Sequence, residues 1–250
     1  MRVLHHGNVA QNGYNNAKFL RRLGVEADVV CDETQALAQP EWEDAPLGPK
    51  VDAMAIWDPL TVDAGGWKRP NWVIAPSRLP TRLPGHYRAG YAIALRRALP
   101  RLERIHVSLR DHFEPLRDTL GSELTLQDVI AGFRIAWLQS LLLGDIGRLF
   151  RRFRLVQAYA THAILPLIAT PERPFVAYEH GTLRELPFED SSRGRLLSLA
   201  YRRASRVIIT NADVISSAHR LGLENTTFVP HPVDETKYTA GSSQLGDELR

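Results

Sequence analysis

The sequence predicts a doubly wound α/β domain on a mainly parallel sheet. Two observations carry this expectation. Short apolar, β-branched runs alternate with segments whose apolar residues recur at helical spacing, the pattern of strands covered on both faces by crossover helices. Two of those helical segments also close alike, at Leu23-Gly24-Val25 and Leu221-Gly222-Leu223, where a glycine takes the left-handed turn that ends a helix.

The elements follow in order. Arg2 to His6 reads as a short buried strand, then a polar, glycine-bearing turn runs from Gly7 to Gly13. A helix with Ala17, Leu20 and Leu23 on one face leads to a second strand, Ala27 to Val30. Residues 39–85 are rich in Pro, Gly and Trp and read as loops around one short strand. Leu124 to Phe153 is apolar and helical, with Leu126, Val129, Ile130, Phe133, Trp137, Leu141 and Leu142 on its face. Leu155 to Tyr159 is a strand, Ala163 to Ala169 a short helix interrupted near Pro166, and Phe175 to Tyr178 a strand. Arg195 to Arg203 is a helix and Val207 to Ile209 a strand. Thr210 or Asn211 caps a helix that buries Val214, Ile215, Ala218 and Leu221, and Thr227 to Val229 is a last strand, stopped by Pro230.

Composition narrows the class. The chain has 250 residues, 44% hydrophobic and 24% charged, which excludes a disordered chain, a collagen and a coiled coil. A single cysteine, Cys31, excludes an internal disulfide and a cysteine-rich zinc site, and suits a reducing cytosol. The start has no apolar signal region, and no apolar run reaches ~18 residues, so a cytoplasmic location is expected. Net charge is +3, carried mostly by arginines in local clusters, Arg148 to Arg154 among them. These read as solvated helix faces, and no nucleic-acid partner is expected. The apolar 133–153 stretch reads first as a core helix packed on the sheet with a solvated basic end, its apolar face being too continuous for a surface helix, and second as a peripheral contact with the inner face of a membrane.

Chemistry is expected where parallel strands end, because ligands of open α/β sheets bind at the carboxyl edge. Four strands end there in polar or glycine-bearing turns: Gly7-Asn8, Glu179-His180-Gly181-Thr182, Thr210-Asn211 and Pro230-His231-Pro232-Val233-Asp234. His180 stands out, since a neutral imidazole both donates to and accepts from a hydroxyl, and the adjacent Gly181 leaves room for a ligand. The complete G-x-G-x-x-G pattern, the phosphate-binding G-x-x-x-x-G-K-[ST] and the nucleophile elbow G-x-S-x-G are all missing. His5 and His6 point to opposite faces of their strand and cannot share a metal, and no other metal ligand set is legible.

The runs Val176-Ala-Tyr-Glu-His-Gly-Thr-Leu-Arg184, Ala200-Tyr-Arg-Arg-Ala-Ser-Arg-Val-Ile-Ile-Thr-Asn211 and Phe228-Val-Pro-His-Pro-Val-Asp234 resemble the amino-terminal half of GT-B glycosyltransferases, more narrowly the retaining family 4 group. The likeness covers about Leu155 to Tyr238 and, less closely, Met1 to Val30. It implies a Rossmann-like domain, one of a GT-B pair, with residues 1–234 as the acceptor-side domain and 235–250 as the linker to, or start of, a second domain. It implies transfer of a sugar from a nucleotide sugar to a hydroxyl of a sugar or lipid-linked acceptor, with retention and with no metal or cofactor. By this resemblance His180 is catalytic, and Gly7, Asn8, Gly181, Thr182, Arg184, Asn211 and His231 bind substrate. Gly7 and Asn8 offer donors near phosphate and acceptor. The family's Pro-Asn-Gly-Val-Asp segment reads Pro230-His231-Pro232-Val233-Asp234 here.

Further expectations follow. The family's second domain, with its E-x7-E motif, has no room after Asp234, so these 250 residues should fold alone without turnover. The carboxyl edge lined by Gly7, Asn8, His180, Gly181, Asn211 and His231 should be an open shelf. Two other classes stay open. One is a stand-alone nucleotide- or sugar-binding module, which the lack of a visible general acid or nucleophile favours. The other is a nicotinamide oxidoreductase, which rests on the first turn and on Asp32 and Glu33 after the second strand.

Overall fold

The computed structural model describes residues 1–31, 36–45, 66–74 and 123–234. Asp32, Glu33 and the whole of 235–250 lie outside these residues, as does most of the region between the third strand and Leu124.

Seven strands form one sheet: β1 (Arg2–His6), β2 (Glu26–Val30), β3 (Val73–Ile74), β4 (Leu155–Tyr159), β5 (Phe175–Tyr178), β6 (Arg206–Ile209) and β7 (Thr226–Phe228). Their order is β3-β2-β1-β4-β5-β6-β7 and every neighbouring pair is parallel. The chain is therefore a doubly wound, Rossmann-like α/β fold. The order reverses between β1 and β4, which makes that junction the topological switch point.

Helices cover both faces. On one face, α1 (Asn12–Arg22) packs Tyr14 and Ala17 against Ala27, Val29 and Cys31. A short α2 (Pro40–Asp44) lies beyond it in sequence. The other face carries the larger core, where Leu4, Val156, Ala158, Phe175, Ala177, Val207 and Ile209 meet the helices that follow β3. These are α3 (Leu126–Leu143), α4 (Ile146–Arg151), α5 (Ile164–Ala169), α6 (Ser192–Arg203) and α7 (Ile215–Arg220). Strand residues alternate between the faces, so Leu4 and His6 belong to the large core while Val3 and His5 face α1's side.

Local chemistry sets the helix ends. Thr125 accepts the Asp128 backbone N–H and Asp128 accepts that of Thr125, a reciprocal capping box that starts α3. Asp128 is fully buried and also takes the guanidinium of Arg195, at 2.9–3.1 Å, which ties α3 to α6. Ser191 caps α6 by accepting the Gly194 N–H. The single helix read over 124–153 is two, broken at Gly144 (φ +84°), with Asp145 capping α4 through the Arg148 N–H. Among the described residues no helix is long and apolar enough to cross a membrane.

Other elements differ from their sequence reading in detail. Leu23 is 79% exposed, because α1 has already ended and its core face is Tyr14 and Ala17 with Leu20 partly buried. Pro166 does not interrupt its helix. It sits in the first turn of α5, where a missing N–H costs nothing. Trp137 and Ile215 are exposed, while Val129, Ala136, Val214 and Ala218 fill the core. The last strand begins one residue earlier than expected, at Thr226. Asn211 precedes the turn into α7 but its side chain makes no capping bond.

The segment after β7 returns to α1. Asp234, whose side chain is 4% exposed, receives both terminal nitrogens of Arg22 at 3.1–3.2 Å and Lys18 Nζ at 3.3 Å. Lys18 also meets Asp44 at 3.0 Å, and Asp44 accepts the Tyr14 hydroxyl at 2.6 Å. This ionic clasp fixes the path of residues 230–234 across the sheet edge.

Candidate functional site

All seven strands run the same way, so their polar ends share one edge. The structure divides the expected site residues there into two groups.

The first group follows β1 and is spent on the fold. Gly7 has φ +95°, and its N–H donates to the Val30 carbonyl at 3.2 Å. A side chain at Gly7 would strike the ring of His162, and one at Gly13 would lie 2.1 Å from the Gly7 carbonyl oxygen. Asn8 is fully buried. Its Nδ2 donates to Gln11 Oε1 (3.1 Å) and to the Ala38 carbonyl (2.7 Å), and its Oδ1 accepts the Tyr14 N–H (2.7 Å). Both amide hydrogens are thus used, and so is an N–H of α1's first turn. The Asn8 side-chain amide and the Gly7 N–H are thus engaged within the fold. Gln11 continues the plug, donating to the carbonyls of Leu37 and Gln39. Ala10 and Gln11 hold φ of 46° and 63°, and Ala160 at the end of β4 holds 50°. Strained non-glycine residues therefore flank the switch point.

The second group follows β5, β6 and β7 and stands together. His180 and His231 are half-buried and meet edge to face, ring centroids 5.3 Å apart at 90°. His231 Nδ1 lies 2.7 Å from Asn12 Oδ1, an acceptor, so Nδ1 carries the proton and Nε2 is left as the acceptor of the neutral ring. The Tyr178 hydroxyl is 3.4 Å from the same Nδ1. His180 Nδ1 is buried and has no hydrogen-bond partner. Burial lowers the pKa of His180, and the charges of His231 and Arg184 lower it further. Burial lowers that of His231. Burial thus favours the neutral form of both rings, in which an imidazole can donate and accept at once.

Around them, Gly181 turns the chain with φ +84°, and Thr182 Oγ1 bonds the Tyr201 hydroxyl at 2.5 Å. Arg184 folds back over Gly181, where an added Cβ would sit 2.3 Å from Nη1, and donates from Nε to Asp213 at 2.7 Å. Asn211 donates to Thr210 Oγ1 at 3.3 Å and stays half-buried. Of the residues expected to line this edge, His180, Gly181, Asn211 and His231 are half-buried, whereas Gly7 and Asn8 are buried. Among the described residues no group of three or more His, Cys, Asp or Glu comes together as a metal set.

A buried polar floor underlies the site. Tyr159 Oη accepts from Asn16 Nδ2 (2.9 Å) and Gln157 Nε2 (2.7 Å), and lies 2.8 Å from His5 Nδ1. With two N–H donors already on its oxygen, the hydroxyl donates its own hydrogen to His5 Nδ1. The Tyr159 ring in turn lies against Tyr178, centroids 4.6 Å apart. Sequence reading missed Asn12, Tyr178 and Asp213 as site members, and placed Glu179 at the edge without giving it a role. For Glu179 a signal was present, an acidic residue beside His180 at a strand end. The pairing of Asn12 with His231 spans 219 positions and leaves no local trace.

Neither a protein-family model nor a curated protein matches the chain. Among solved structures, it is similar to the Anabaena protein HepE in complex with UDP, at 23% identity and a TM-score of 0.34, over 43% of this chain and 32% of HepE. The HepE structure with UDP-glucose matches at 25% identity and a TM-score of 0.33, over 45% of this chain and 34% of HepE. The matched part thus spans about a third of HepE's length. A likeness of that size carries no chemistry to this chain, whose site rests on its own geometry.

Proposed function

We propose that this domain is the acceptor-side half of a retaining, family 4-like GT-B glycosyltransferase, moving a hexose from a nucleotide sugar to a hydroxyl. The observation that carries the reading is the pair of imidazoles, His180 and His231, held edge to face at the carboxyl edge of an all-parallel sheet, where burial favours their neutral form. Gly181, Thr182 and Asn211 accompany them. Neutral donor–acceptor groups suit sugar hydroxyls. The amino end of α1 is filled by Asn8, and Arg184 is engaged by Asp213, so this wall suits the sugar better than the diphosphate.

In the reaction, the bond from the anomeric carbon to the diphosphate breaks and a bond to the acceptor oxygen forms. The acceptor's proton passes to the leaving diphosphate. No metal or cofactor takes part. His180 hydrogen-bonds the donor sugar and steadies charge developing at its ring. Charge on the diphosphate is met by a second domain, reached through 235–250. Residues 1–250 alone form one wall of a cleft and do not turn over. The acceptor is a sugar or a lipid-linked hydroxyl, and the exposed Arg148, Arg151, Arg152 and Arg154 meet the inner face of a membrane peripherally.

The test is transfer from a panel of nucleotide sugars by the complete enzyme, wild type against His180→Ala. Turnover should fall at least about 100-fold in the variant, the scale of one lost electrostatic contact, with an unchanged circular dichroism spectrum. Turnover equal to wild type removes His180 from the site.

A further inference from the structure

Glu179 is the one fully buried carboxyl group at the carboxyl edge among the described residues, and the reaction above does not use it. Its backbone is tied to the neighbouring strand region: its N–H donates to the Ile208 carbonyl at 2.9 Å, and its carbonyl accepts the Thr210 hydroxyl at 3.2 Å. Its side chain reaches forward instead. Oε1 accepts the Leu183 N–H at 3.1 Å, while Oε2 is buried with no partner. The three residues between, His180, Gly181 and Thr182, therefore sit in a loop closed at both ends by the same amino acid. The loop must turn from strand to the 3-10 turn Thr182–Arg184 at Gly181, whose φ of +84° gives the backbone no intrinsic preference to hold.

Burial raises the pKa of this carboxyl, and the N–H groups it accepts oppose that rise. One oxygen of this buried carboxyl is spent on the loop that carries His180, and without it the buried Leu183 N–H would be left unpaired at a cost.

We propose that Glu179 is the positioning residue of the site, setting the orientation of His180 by accepting the Leu183 N–H across the loop. This rests on the reading of His180 as the ligand-facing group, but its test does not need transfer. The acceptor oxygen is what the loop requires, so Glu179→Gln keeps His180 in place and Glu179→Ala does not.

The experiment is heteronuclear NMR on the 250-residue chain, following the imidazole signals of His180, the amides of Gly181 and Leu183, and amide hydrogen exchange. In the wild type and in Glu179→Gln the Leu183 amide is protected. In Glu179→Ala it exchanges about tenfold to 100-fold faster, and the His180 and Gly181 signals move. Glu179→Gln restores the wild-type positions, which a general loss of stability would not. Wild-type exchange of Leu183 at the rate of an unprotected amide overturns the proposal even where the alanine variant does not fold. So do His180 signals unmoved in Glu179→Ala, or a glutamine variant that behaves as the alanine one. Should His180 stay in place in Glu179→Ala while His180→Ala abolishes transfer, this inference fails and the functional reading stands. The converse pair of results separates them the other way.

Discussion

Acidification should unfold this domain chiefly through His5. The ring is fully buried, and burial lowers its pKa from 6.5 to about 3. The hydrogen bonds make the depression intelligible. Tyr159 Oη already accepts from Asn16 and Gln157 and spends its hydrogen on His5 Nδ1, so a proton added at Nδ1 would meet another donor. The folded value lies below the unfolded one, so the unfolded chain takes up the proton first. Stability is then full above about pH 6.5 and falls as pH drops below it, by roughly 1.4 kcal/mol per unit, until about pH 3. The sum, about 5 kcal/mol, is comparable with the whole stability of many domains. The assay is urea unfolding followed by tryptophan fluorescence, at half-unit steps from pH 7.5 to pH 4, on wild type and His5→Asn. Asparagine can place an acceptor near the position of Nδ1 and does not titrate. His180 and His231 shift in the same direction but are common to both proteins and cancel in the difference. The wild-type-minus-variant stability should slope by about 1.4 kcal/mol per pH unit between pH 6 and pH 4. Parallel curves would refute the reasoning, whatever their offset.

Two further predictions concern the frame that holds the site. Burial acts to raise the Asp128 carboxyl, but hydrogen bonds from Arg195, Ser192 and Thr125 outweigh it and hold the group well below the usual carboxylate range. Asp128→Asn should therefore cost about 2 kcal/mol near neutral pH, read as a lower urea midpoint, and the cost should shrink in strong acid as the wild-type carboxylate takes up its proton. Gly13→Ala forces a Cβ to within 2.1 Å of the Gly7 carbonyl, so the loop after β1 must open. The expected loss is about 3 kcal/mol or more, with a matching fall in Tm and displaced amide signals from Gly7 to Gln11. A variant as stable as wild type would show that the loop gives way freely.

The sheet was legible because its signal is local. Leu155 to Tyr159 and Phe175 to Tyr178 are short apolar runs between turn residues, and both strands lie where the pattern puts them. The edge could be read for the same reason, since a strand that ends in His180-Gly181 must present those residues at its carboxyl end. What escaped reading depends on partners far away in sequence. Asn8 looks like a free amide until Ala38 and Tyr14 claim it. Leu23 scores as one more apolar residue at helical spacing, but the helix has stopped and its side chain is left exposed. Pro166 reads as a breaker only if the helix begins well before it, and α5 begins at Ile164. Glu179 was legible as an acidic residue beside His180, but its complete burial depends on the elements packed around it and left no local trace.

The clasp between Arg22 and Asp234 has a consequence for how the chain reaches this state. Its partners are 212 residues apart, whereas each strand–helix unit makes its first contacts within a few dozen positions. Closing a long loop early costs entropy that a half-exposed ion pair cannot repay, and the cost falls once the intervening units have condensed. The clasp should therefore be among the last contacts to form. His231, three residues before Asp234, then arrives beside His180 only when the sheet is already built. Assembly of the candidate site and completion of folding become one late event, and a reporter placed on residues 230–234 would time both.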